Sequence, residues 1–211
     1  MISFAIRLVL LLCVALPVAI WWKAVGSPGH YLQAQLPPGQ LFYVLSKLAG
    51  LLSITLLGLQ VALVPLSKMT RNATFSRTPN VHRWFGIVVL IVVSIHVFLF
   101  VGAASQRSGH FAYGLLGVRL SNGFYDQIVS VGAVAFYLLI CAVLLGVFLF
   151  RKRRSKAFRY AHRICVTGVV VLAVVHSFSI GSETATWPMM ALYFAIVASL
   201  VWAWRSFSLK R

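Results

Sequence analysis

The stretch that decides the fold runs from Val81 to Leu99, VHRWFGIVVLIVVSIHVFL, an apolar segment that holds His82 and His96 fourteen positions apart. Further on, the segment from Ala161 to Ser179, AHRICVTGVVVLAVVHSFS, repeats the arrangement with His162 and His176. In both, an arginine directly follows the first histidine. Fourteen residues of helix rise about 21 Å and turn through about 1400°, some 40° short of four turns, so both histidines of a segment share one face. Two such faces opposed offer two His/His pairs at two depths. Two stacked haems, each iron taking one imidazole above the ring and one below, require that arrangement. Any single histidine here reads equally well as a satisfied core imidazole. An imidazole within a span is costly, however, and the same interval on two equivalent segments favours ligands.

Composition says where these helices lie. With 61% hydrophobic and 10% charged residues, and a mean hydropathy of +0.93, the chain reads as an integral membrane protein, not a soluble domain. Asp126 and Glu183 are its two acids, against 19 Lys and Arg. A formal charge of +17 could suggest nucleic acid, but the cations sit in short loops between apolar spans and form no soluble face. The charge therefore reads as topology, offset in part by anionic lipid headgroups and haem propionates. Cys13, Cys141 and Cys165 fall inside apolar spans without a CxxC spacing, so they read as buried small hydrophobes.

Six helices follow from the apolar runs, at about 4–22, 41–66, 79–104, 126–150, 157–180 and 188–204, and the whole of 1–211 reads as one all-α transmembrane haem domain. The first run ends in Trp21-Trp22, where an interfacial aromatic belt belongs, and no A-x-A cleavage site follows it directly. Thr78-Pro79 supplies a helix cap and a proline at the first helical position, so the third helix is expected to include His82. The loops after the second and fourth helices and the C-terminal tail are rich in Lys and Arg, which places both termini in the cytoplasm of what is expected to be a bacterial inner membrane. The third and fifth helices then run in the same direction. His82 pairs with His162 on the inner side, and His96 with His176 on the outer. Between the histidines the shared stripe is slim, Gly86, Val89 and Val93 facing Val166, Val169 and Ala173, which leaves room for a porphyrin or simply for close helix packing.

HRWFG at His82 to Gly86, the two paired histidines on the third and fifth of six helices, and AHR at the second pair resemble the ferric reductase-like transmembrane domain family. That family includes ferric reductases, NADPH oxidases and the haem-binding subunit of the periplasmic methionine sulfoxide reductase system. The resemblance implies a six-helix bundle with two stacked b-type haems between helices three and five, passing electrons across the membrane. In the reductases and oxidases a flavin and nicotinamide domain follows the sixth helix. Here the sequence reaches only Arg211, so flavin is expected on a separate cytoplasmic reductase. The oxidases carry a histidine one turn after the outer ligand of the third helix, where this chain has Phe100, which counts against superoxide production. The methionine sulfoxide reductase subunit usually lacks the first histidine of that helix, so His82 brings this chain closer to the two-haem members.

Iron with two axial histidines is saturated, so the expected work is one-electron transfer to an external redox partner protein or a ferric chelate. Arg83, Arg163 and Arg159 are the candidate propionate partners on the inner side, with Arg107 and Arg119 weaker candidates on the outer. Lys47, inside the second helix, either reaches the outer haem or a substrate anion, or snorkels to the interface. The basic run from Arg151 to Arg163 reads first as a topology determinant and lipid-facing surface, and second as a dock for an acidic flavoprotein. A quinol-linked cytochrome b and a haem-holding structural subunit remain as alternatives.

Overall fold

The lipid-facing surface is written into α3 at helical spacing: Val81, Trp84, Val88, Ile91, Ile95 and Phe98 are all exposed, on the side away from His82 and His96. An apolar stripe of that extent is stable only against lipid or another protein. In the computed structural model, residues 4–26, 28–32, 36–69, 78–119, 123–151, 156–180 and 184–208 are described. Six α-helices run through them: α1 (Phe4–Val25), α2 (Gln40–Met69), α3 (Thr78–Ser108), α4 (Phe124–Arg151), α5 (Lys156–Ile180) and α6 (Trp187–Ser208). Short 3-10 turns at Pro28–Leu32 and Tyr113–Leu116 complete the order, and no strand occurs among the described residues. From α2 to α6, five helices are long and apolar enough to span a bilayer, and Val14–Val25 is the described apolar part of α1.

Two antiparallel hairpins make the frame. α2 packs along α3 and α4 along α5, while α1 and α6 lean on α2. α3 and α5 meet each other far less closely than each meets its own hairpin partner. They face each other across a seam whose middle is closed by the buried Val89 and Val169, with Leu57 of α2 and Leu139 of α4 beside them. Hydroxyls inside the bundle turn back on their own helices, Ser53 donating to the Ala49 carbonyl and Thr55 to that of Leu51, so these two need no water.

Three expectations change on contact with the structure. Trp21 is buried and donates its indole N–H to the Val44 carbonyl at 2.8 Å, tying α1 to α2, and only Trp22 remains at the exposed surface. Cys141 lies on an exposed face and Cys165 is half-buried, so neither is a core residue. α3 also continues past Ala104 to Ser108, because its polar last turn satisfies itself. Ser105 donates to the Val101 carbonyl, and Gly109, at φ +73, ends the helix by donating to the Ser105 carbonyl.

At the α2–α6 contact, a Cβ on Gly58 would stand 2.6 Å from Ile196 Cγ1, so Gly58→Val should destabilise the bundle by about 1–3 kcal/mol through overpacking. Thermal unfolding of the detergent-purified protein checks this, and Ile196→Ala in the same chain should recover part of the loss.

Candidate functional site

All four histidines of the spans turn toward the seam, and they meet in the two expected pairs. His82 and His162 have ring centres 6.5 Å apart with planes at 77°, and His96 and His176 have ring centres 6.5 Å apart at 70°. The first pair lies toward the end of the bundle where the Lys- and Arg-rich connections emerge, here called the basic end. Fourteen residues of rise separate it from the second, about 21 Å along each helix.

Each of three imidazoles is oriented from the supporting helix, not from its own. A carbonyl oxygen can only accept, so Nδ1–H donates: His96 to the Ser46 carbonyl at 2.8 Å, His162 to that of Ala142 at 2.9 Å, and His176 to that of Ile128 at 2.7 Å. These bonds place the proton on Nδ1 and leave the Nε2 lone pair available. Four residues after each acceptor stands a glycine: Gly50, Gly146 and Gly132. A Cβ added there would meet the Cε1 atom of His96 at 3.1 Å, of His162 at 3.5 Å and of His176 at 2.6 Å. The glycines are notches into which the rings fit. At the remaining corner the neighbour is Gln60, whose Nε2 donates to the His82 carbonyl at 2.7 Å and lies 3.3 Å from His82 Nε2.

Each pair lines its own cavity, of about 430 Å³ at the basic end and about 190 Å³ at the other. Arg83, Arg159 and Arg163 all line the basic-end cavity with His82 and His162. Lys47 lines the other, its Nζ 5.2 Å from the centre of the Tyr43 ring. Arg107 Cζ also lies 4.8 Å from the centre of the Tyr43 ring, and Arg107 donates to Gln40 Oε1 at 2.8 Å. Arg119 instead folds back on the Tyr113–Leu116 turn, donating Nε–H to the Gly114 carbonyl. His110 is exposed and bonded within its own loop, to the Ser108 carbonyl.

No cluster of three or more His, Cys, Asp or Glu occurs among the described residues. Each seam site therefore brings together two imidazoles, His82 with His162 and His96 with His176.

A family model described as the ferric reductase like transmembrane component matches residues 49–174. The chain belongs to that family. The matched window runs from α2 to α5 and takes in His82, His96 and His162, ending two residues short of His176. With its five spanning helices, this ferric reductase-like protein is an integral membrane protein, and its family is one of transmembrane electron transfer, working with redox cofactors and redox partners. No curated protein and no solved structure matches the chain.

The residues that sequence reading missed are the supporting ones, Ser46, Gln60, Ile128 and Ala142. The signal was present, since 46 and 60, like 128 and 142, are fourteen apart, as are Gly132 and Gly146. The notch geometry predicts a graded result: Gly132→Ala should displace His176 and change its ¹⁵N tautomer pattern, while Gly146→Ala, at ordinary contact distance, should leave His162 unchanged. Histidine-selective ¹⁵N spectra of the two variants would show it, and equal perturbation of both rings would count against the notches.

Proposed function

We propose that this protein moves electrons one at a time across a bacterial cytoplasmic membrane through two b-type haems, one held by His82 and His162 and the other by His96 and His176. The observation that carries this is the equal ring separation of 6.5 Å at both pairs. An imidazole nitrogen binds such a metal at about 2 Å and lies about 1.1 Å from its ring centre, so two rings sharing one ion stand about 6.3 Å apart. The notches support the same reading, because Gly50, Gly132 and Gly146 leave the three rings room where a Cβ would crowd them.

Haem would supply the one-electron change of iron between its ferric and ferrous states. The chain supplies the rest. Two imidazoles at each site would hold the iron, His82 with His162 and His96 with His176, and an iron so held would exchange electrons and not bind oxygen or a substrate. Three Nδ1–H bonds to backbone carbonyls fix the rings and raise the basicity of Nε2. Arg83, Arg159 and Arg163 line the basic-end cavity, where their charge suits haem carboxylates. Lys47 offers a cation at the other end. Between the sites, Leu57, Val89, Leu139 and Val169 line both cavities, an apolar partition that excludes water and ions.

The positive-inside rule gives the direction. Lys and Arg concentrate in the sequence of the α2–α3 and α4–α5 connections, so the His82–His162 site faces the cytoplasm and a flavin reductase there would be the donor. An external redox protein or ferric chelate would then receive electrons from the His96–His176 site.

Vesicles containing the purified protein, loaded with ferricyanide and given dithionite outside, test the whole path. The wild-type protein should bleach the trapped ferricyanide, and His96→Ala with His176→Ala should slow this at least tenfold while removing one of two haems. An unchanged rate in that variant would rule out the path.

A further inference from the structure

Among the four corners of the seam, one breaks the pattern. The step of fourteen that leads from Ile128 to Ala142 and from Gly132 to Gly146 on α4 leads on α2 from Ser46 to Gln60 and from Gly50 to Val64. His82 accordingly has no backbone carbonyl to receive its Nδ1 proton, and that nitrogen is buried with no hydrogen-bond partner. Gln60 Oε1, on the adjacent side chain, is also buried with no partner. The amide is not turned the wrong way round: Gln60 Nε2 donates to the His82 carbonyl at 2.7 Å, a place where an oxygen would repel. Its second N–H points at His82 Nε2, 3.3 Å away, and an N–H can only donate, so it occupies the imidazole lone pair and puts the ring proton on Nδ1. What remains is a buried donor, His82 Nδ1–H, beside a buried acceptor, Gln60 Oε1. Each orphan is a buried polar group without its hydrogen bond, and one bond between them would satisfy both. Room for the amide comes from Gly86, where a Cβ would stand 3.0 Å from Gln60 Nε2.

We propose that Gln60 is the positioning residue of His82, with its side-chain amide oxygen taking the part that backbone carbonyls play for the other three histidines. Gln60 then has two arrangements. In one, seen here, its N–H covers the Nε2 lone pair of His82. In the other, its oxygen accepts from Nδ1–H and leaves Nε2 free to bind iron. The inference rests on the haem reading above, and it makes the basic-end site the one of the two whose ligand strength is set by a side chain that moves.

An acceptor at Nδ1 makes an imidazole a stronger donor and favours ferric iron, so its loss should raise the potential of that haem alone. The test is a redox titration of the purified full-length protein, wild type, Gln60→Leu and Gln60→Glu, with haem content measured on each sample. Gln60→Leu should shift one of two components upward, leave the other in place and keep two haems. Gln60→Glu, which retains an acceptor, should hold that component at or below the wild-type potential. If Gln60→Leu moves neither component, or Gln60→Glu moves the same component upward as Leu does, Gln60 does not position His82. A wild-type protein without haem would instead overturn the reading on which the inference stands.

Discussion

The rest of this structure depends on a hydrogen bond between helices: an imidazole Nδ1–H donating to a backbone carbonyl of the neighbouring helix, over a glycine that leaves the ring its space. In a bilayer a helix already satisfies its own backbone, so a carbonyl that also receives a side chain is an added constraint on packing. It locks α3 to α2 through His96 and Ser46, and α5 to α4 through His162 with Ala142 and His176 with Ile128. Because these three rings are held from behind, their Nε2 atoms face the seam. That is why α3 and α5 can stand apart and still present matched pairs.

Much of this was legible in the sequence, for a physical reason. Span length and apolar content are set by the bilayer, and fourteen residues bring a helix back to nearly the same face, so six helices and the facing of His82, His96, His162 and His176 follow from counting. The acceptors were not legible in the same way. A carbonyl carries no side-chain signature, and Ile128 or Ala142 looks like any lipid-phase residue. The glycines at 132 and 146 were the visible trace of the notches. Trp21 shows the opposite failure: an aromatic at the end of an apolar run reads as interfacial, but a nearby carbonyl at Val44 draws its N–H into the bundle. The α3 terminus was misplaced because Ser105 to Ser108 are polar, whereas hydroxyl-to-backbone bonds and Gly109 carry the helix past the apolar span.

The two ends of the seam differ in kind. Three arginines from two helices line the basic-end cavity, Arg83 from α3 and Arg159 and Arg163 from α5. The other end offers Lys47, Tyr43 and Arg107 in succession. Between them the apolar quartet of Leu57, Val89, Leu139 and Val169 belongs to both cavities. Under the function proposed above, the cations at each end would hold an anionic cofactor edge, and the apolar middle would keep ions out.

The most direct measurement is the haem content of the detergent-purified protein by pyridine haemochrome, expressed per chain. Two b haems per chain is the expected result, one for each imidazole pair. A protein with no haem, from cells able to supply it, would contradict the central claim.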